Sequence, residues 1–330
     1  MLDYSPDKKN DQKQEIMNLK IIANPTSYGG KAKKRWPEYE KAFKEAGINF
    51  EIEWTEKPLD AISMAKEASK DHDLIVSFGG DGTVNEVVTG IGQAGFKSTF
   101  GIIPVGRGND NAFNIRQTMD IQDIIEMLQN KQHRVIDCID INDGTRFCMG
   151  VAGVGLDADV SEQVINKNTN FIYKVALIRS FFRYRPRHLH IDFDDGRIVK
   201  DLKSLTTMVG NGQRVGSGLM VCPDAVLDDG LLDVMIVGNT SILESLVTSS
   251  KLGKGTHLSH PKIEIIQGKK ITITTESKKK VLGHAMGEFL GPVPITFTCR
   301  HKVLKILRMT DSVLERENWH NANAFSENIK

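Results

Sequence analysis

The hydrophobic period of this chain changes near Asp137, and that change limits its fold more than any other feature. Before it, strand-sized apolar runs at 19–23, 50–55, 74–78 and 100–103 alternate with helix-spaced stretches at 36–46, 59–69 and 84–91. Such a βαβα rhythm predicts a parallel sheet covered by helices, a Rossmann-like α/β unit. After it, apolar residues recur every second position at 188–193, 231–237, 263–266 and 270–275, which predicts mainly antiparallel β structure. A helix is expected over 171–182, with Arg179, Arg183, Arg185 and Arg187 at and beyond its end. The predicted division is a polar disordered leader at 1–18, an α/β domain at 19–140 and a β domain at 141–300. A strand at 301–310 returning toward the first domain and a frayed tail at 311–330 complete it. Met17, just before the first apolar run, is a candidate start of the protein.

Composition excludes several classes of function. With 43 basic against 42 acidic residues the net charge is +1, so no global attraction to nucleic acid or to an anionic membrane is expected. No apolar stretch approaches the roughly 20 residues of a bilayer span, and the charged N-terminus lacks a signal peptide's apolar core. The expectation is a soluble, cytoplasmic protein that meets membranes only peripherally, at their inner face. Cys138, Cys148, Cys222 and Cys299 form no C-x-x-C pair and read as reduced, mostly buried thiols. His188, His190, His257 and His260 read as surface residues.

Gly79-Gly80-Asp81-Gly82-Thr83 lies between a predicted strand and a predicted helix. Glycines there let the backbone approach phosphate oxygens, and the helix N-terminus aims unpaired N–H groups at them. A carboxylate beside a triphosphate is repelled unless a divalent cation lies between them, so Asp81 implies magnesium. The alternative is a plain turn with Thr83 and Glu86 as a capping box, and the two readings are compatible. A second turn, Pro104-Val105-Gly106-Arg107-Gly108-Asn109-Asp110, follows the next apolar run. The two turns can flank one crevice at the carboxyl ends of parallel strands. Asp110 then either joins Asp81 at a metal or, with Asn109, caps the following helix.

These turns, with Asn85-Glu86-Val87 and Pro223-x-Ala225-x-x-Asp228-Asp229-Gly230-x-Leu232-Asp233, resemble the diacylglycerol kinase catalytic family, which includes sphingosine, ceramide and bacterial lipid kinases. The resemblance runs from about Leu19 to about Leu307. It implies a nucleotide domain like that of NAD kinases and phosphofructokinases, a C-terminal antiparallel β-sandwich, and a site between them for ATP, magnesium and a lipid hydroxyl. By position, Gly79, Gly80, Asp81, Gly82, Thr83, Asn85 and Glu86 would line the phosphates, with Gly106 and Arg107 beside them and Asn24 and Thr55 near the nucleotide. Asp81, Asp110 and Asp137 would form a metal and water network. Asp229, with the carbonyls of Val226 and Leu231, would hold a structural magnesium ion. Glu288, in Met286-Gly287-Glu288, would be the general base that a poorly nucleophilic hydroxyl requires. Arg107, Asn111 and Met286 depart from the family's usual residues, and Arg107 would either grip phosphate or fill part of the pocket. The arginines near 183, interleaved with aromatics, suit either anionic lipid headgroups or a solvated helix end. The expected activity is phosphorylation of diacylglycerol, by a monomer or homodimer. An NAD kinase-like activity and a catalytically silent nucleotide- or lipid-binding regulator are the alternatives.

Overall fold

The computed structural model describes residues 18–156, 158, 184–241, 244, 248 and 250–319. The expected helix at 171–182, with Arg179 and Arg183, lies outside the described residues. The first unit runs β1 (Leu19–Ala23), α1 (Ser27–Glu45), β2 (Glu51–Trp54), α2 (Asp60–Ala68), β3 (Leu74–Gly79), α3 (Asp81–Gln93), β4 (Thr99–Pro104), α4 (Asp110–Asn114) and α5 (Ile121–Asn130). Its four strands are parallel in the order β2-β1-β3-β4. The largely apolar runs of β1 and β3 follow from this position, since helices cover both faces. On one face Val84, Val87, Val88 and Ile91 of α3 pack with Ala61 and Ala65 of α2. On the other, Trp36 and Tyr39 of α1 meet Phe78 in edge-to-face contacts, with ring centroids 5.2 Å apart for Trp36–Phe78 and 5.3 Å for Tyr39–Phe78, and Phe43 packs edge-on to Tyr39.

The remaining strands are β5 (His133–Ile141), β6 (Arg146–Cys148), β7 (Val151–Gly155), β8 (Arg187–Phe193), β9 (Ile198–Ser204), β10 (Thr206–Gly210), β11 (Arg214–Val215), β12 (Leu219–Met220) and β13 (Leu232–Val237). They continue with β14 (Ile263–Gly268), β15 (Lys270–Thr274), β16 (Leu282–Ala285), β17 (Glu288–Pro292) and β18 (Ile295–Leu307). An antiparallel sheet of order β14-β13-β10-β7-β16-β17 faces β5, β18, β15 and β8 across a shared core. Val154, Met208 and Val234 come from the first layer, and Ile139, Ile191, Ile273 and Phe297 from the second. This is the antiparallel sandwich that the resemblance implies. Its second layer is continuous with the parallel sheet through β18, whose Ile306 pairs in parallel with Phe100 of β4. A bulge between Arg300 and Leu304 bends the strand where it leaves one unit for the other.

Two expectations are corrected. Residues 311–316 are not frayed: they form α6 (Asp311–Arg316), which buries Val313 and Leu314 against the α1 and α5 side of the sheet. Polar flanking residues concealed that two-residue anchor. Leu314→Ala is accordingly expected to destabilise the fold by ~2–5 kcal/mol, read as a lowered urea midpoint at unchanged slope. His257, expected on the surface, is fully buried with Nε2 3.2 Å from the Val221 carbonyl oxygen, and burial lowers its pKa. The thiols agree with expectation, since Cys138, Cys148 and Cys222 are buried and unbridged. Among the described residues no helix is long and apolar enough to cross a membrane.

Candidate active site

Loops rich in polar residues leave the carboxyl ends of all four parallel strands. Strand order reverses direction between β1 and β3, which is where ligands bind in open α/β sheets. There the Asn24 amide donates to the Phe78 carbonyl at 3.0 Å, so the first loop and the glycine turn share an edge. Asn24 Oδ1 accepts from Thr26 N at 2.9 Å and fixes its own loop. Thr55 is buried at the end of β2, its amide bonded to Ala23 O at 2.9 Å. Tyr28, Gly29 and Gly30 have φ of +53°, +65° and +84°, the tight turn that their composition suggests.

Helix α3 begins at Asp81, with Gly80 in extended conformation as N-cap and no side chain capping it. The capping-box reading therefore fails: Thr83 lies inside the first turn, where it cannot serve as N-cap. The first amides of α3 are left for an anion. Glu86 is also reassigned, because its carboxylate accepts from Leu59 N at 3.1 Å and Ala61 N at 3.2 Å and so caps α2. Gly80 and Gly106 bring the two turns into backbone contact, since a Cβ on Gly106 would lie 2.4 Å from the Gly80 Cα. Gly106→Ala should cost about 1–3 kcal/mol in a urea melt and weaken nucleotide binding, because the turns must separate. Equal binding of a fluorescent nucleotide by that variant would show that turn apposition is irrelevant to the site.

Asp81 Oδ1 accepts from Asn111 N at 2.9 Å, which ties the first turn to the helix after the second. Burial raises its pKa, with neighbouring Asp110 adding to the shift and the amides of Asn111, Asp110 and Asn109 opposing it. Its Oδ2 faces Gly108, where a Cβ would approach to 3.1 Å, so glycine keeps that oxygen accessible. Arg107 does not fill the pocket; it is exposed, with its guanidinium 5.8 Å from the Tyr28 ring centroid and Lys31 on the same ring at 4.1 Å. Ser27, not singled out in the sequence, accepts from Gly80 N at 3.4 Å.

Direct bonds divide the expected three-aspartate network. Asp110 accepts from Arg214 Nε at 2.5 Å, Ser217 N at 2.6 Å and Gly218 N at 3.0 Å. Fully buried Asp137 instead accepts from Gly230 N and Lys302 N, both at 2.6 Å, and contacts His301 Nδ1 at 2.9 Å. It is therefore bonded to the Asp229 loop and to the β18 bulge. In that loop Asp229 Oδ1 accepts from Leu231 N at 2.9 Å, Val226 is buried, and burial with nearby Asp137 raises the Asp229 pKa.

Glu288 opens β17 just after Met286 and Gly287, whose φ of +48° and +85° make the turn. The Met286 side chain is buried, its sulfur 3.1 Å from Val151 N, so this departure from the family anchors the hairpin. Glu288 crosses to the first unit: Oε2 accepts from Asn85 Nδ2 at 3.1 Å, and Oε1 lies 3.2 Å from where a Cβ on Gly82 would sit. Burial, with Glu86 adding, raises its pKa to about 7, against the Asn85 amide and Arg146. Asn85 Oδ1 and the Asn111 side-chain amide are buried without partners among the described residues. Both lie around the Asp81 turn, where a bound ligand would satisfy them.

Two family models match the two units of the chain in turn. The model described as diacylglycerol kinase catalytic domain matches residues 18–141, and that described as YegS C-terminal NAD kinase beta sandwich-like domain matches 150–308. The two halves of the chain thus match the two domains of diacylglycerol kinases in turn, which supports an ATP-dependent lipid kinase, a class in which a divalent cation is usual. A Bacillus subtilis diacylglycerol kinase is 28% identical over 88% of this chain and 96% of its own length. One from Staphylococcus haemolyticus is 28% identical over 84% of each chain. The crystal structure of a diacylglycerol kinase from Bacillus anthracis shares the fold, with a TM-score of 0.68 at 22% identity over 90% of this chain and 98% of that one.

Among the described residues no three His, Cys, Asp or Glu side chains converge to hold a metal by themselves. Divalent cations such as magnesium are commonly held by one or two carboxylates together with substrate phosphates. Asp81, with its open oxygen over Gly108, fits that role.

Proposed function

We propose that the chain transfers the γ-phosphoryl group of ATP to the free hydroxyl of diacylglycerol, with magnesium as the cation. The observation that carries this reading is Glu288: a half-buried carboxylate of the second unit, with pKa near 7, set against the first turn of α3. Phosphoryl transfer needs positioning and charge neutralisation more than covalent chemistry. The α3 amides and the Gly80–Gly106 contact position the phosphates between β1, β3 and β4. Magnesium, held by Asp81 and phosphate oxygens, would neutralise charge on the transferring group. Glu288 would accept the proton of the acceptor hydroxyl, and at neutral pH a group with pKa near 7 is both substantially ionised and basic enough to do so.

Asp229, with the Val226 and Leu231 carbonyls, is proposed as a second, structural magnesium site that sets the loop bonded to Asp137. Arg185 and Arg187, the latter stacked 4.9 Å over Tyr184, are proposed to meet anionic lipid headgroups during peripheral contact with the membrane. Incubation with γ-labelled ATP and either diacylglycerol micelles or NAD tests the acceptor. Label in phosphatidic acid supports the proposal; label in NADP alone would replace it with NAD kinase chemistry.

A further inference from the structure

The short hairpin of β11 and β12 reaches from the second unit over the second glycine turn, and no motif marks it. Gly216, Ser217 and Gly218 at its tip all have positive φ, of +67°, +64° and +116°. The curl aims the Ser217 and Gly218 amides at Asp110, and Arg214 Nε completes the set. Arg214 is also fixed from the other side. Asn114 bonds its backbone twice, Oδ1 to Arg214 N at 2.9 Å and Nδ2 to Arg214 O at 3.1 Å. Its guanidinium stacks 4.6 Å over Phe113, and Arg116 Nη2 donates to neighbouring Gln213 Oε1 at 2.8 Å.

Asp110 and Asp81 face the same glycine: a Cβ on Gly108 would lie 3.1 Å from Asp81 Oδ2 and 3.3 Å from Asp110 Oδ2. Two carboxylates that share one glycine's surroundings, one of them buried, repel each other unless one is neutralised. The Asp110 side chain is only 3% exposed, and Arg214 is its ion-pair partner. We propose that Arg214 is a positioning residue for phosphoryl transfer. It clamps the second turn to the hairpin and, by neutralising Asp110, leaves Asp81 as the carboxylate that takes the nucleotide's divalent cation. This rests on the kinase reading above and adds a residue to it.

The test uses the full chain with ADP and manganese, free and bound ion being counted by electron paramagnetic resonance. Arg214→Met uncovers the Asp110 charge beside Asp81, so manganese affinity should rise by about tenfold or more. Lipid phosphorylation should meanwhile fall by about tenfold or more, since the turn is no longer clamped. Asp110→Asn combined with Arg214→Met should abolish the rise, because the uncovered charge is gone. A general loosening of the fold would weaken binding and turnover together, so the opposite signs are diagnostic. Should Met disturb folding, Arg214→Gln keeps a donor toward Asp110 without the charge and carries the same expectation. Unchanged manganese affinity in the single variants, or a rise that survives Asp110→Asn, would overturn the proposal. The manganese measurement needs no lipid; manganese results as expected without any lipid phosphorylation would support the clamp and count against the kinase reading alone.

Discussion

Glu288→Gln is expected to lower turnover by ~10²- to 10⁴-fold while ATP affinity barely changes, the usual worth of a general base that touches the acceptor and not the nucleotide. Glutamine keeps the shape and can still accept from Asn85 Nδ2, so the hairpin should stay docked. The pH–rate profile gives the sharper reading. With its pKa raised to about 7, chiefly by burial, Glu288 loses its basic form as pH falls through 7, so kcat/KM should carry an acidic limb there. That limb should be absent from whatever turnover the glutamine variant retains. Stability should move in the opposite sense. Because the folded-state pKa is raised, the stability contribution of the protonated carboxyl is full below the unfolded value and is lost as pH rises through about 7. The glutamine variant cannot ionise, so its melting temperature should gain on that of the starting protein as pH rises from about 4.5 to about 7, and keep that lead above. Near-full turnover with an unchanged limb would reduce Glu288 to a turn residue.

Asp81→Asn should abolish detectable cation-dependent turnover, with a loss of roughly 10³-fold or more, because metal charge stabilisation is worth several kcal/mol in transfers of this kind. The amide oxygen can still accept from Asn111 N, so the link between the two turns survives. Burial raises the Asp81 pKa, which means that the ionised form is disfavoured until a cation arrives. Removing its charge should therefore leave thermal stability without a cation equal or slightly higher. Stabilisation of the protein by ATP with magnesium should shrink strongly, while stabilisation by ATP in a chelator should change little. If both nucleotide conditions stabilise the variant as they do the starting protein, Asp81 holds no metal.

Periodicity made the architecture legible because it reports which faces are buried. The βαβα half and the alternating half both appear where their patterns change, and the runs at 74–78 and 263–266 became β3 and β14 with small extensions. Alternation cannot report how sheets join, since pairing partners leave no local trace: a strand at 301–310 returning toward the first domain was legible, but its pairing with β4 was not. The glycine turns were legible because a backbone approach as close as Gly80 to Gly106 admits no side chain. Side-chain destinations were less so. Glu86 sits in a motif yet caps α2, and Asp110 sits in a motif yet bonds a hairpin more than a hundred residues away. A carboxylate's partners depend on which chain segments fold over it, and Arg214, Ser217 and Arg146 carry no local signature. Val313 and Leu314 show the same limit at the C-terminus, where two buried side chains do not make a visible period.

The central claim is that the Asp81 turn and Glu288 form one phosphoryl-transfer site for a lipid. Transfer of label from γ-labelled ATP to a total lipid extract, with products identified by mass spectrometry, tests it most directly. The predicted result is a labelled phosphomonoester of a neutral lipid, dependent on a divalent cation and lost in both Asp81→Asn and Glu288→Gln. A chain that binds ATP with magnesium yet labels no lipid, or labels lipid equally well in both variants, would contradict it.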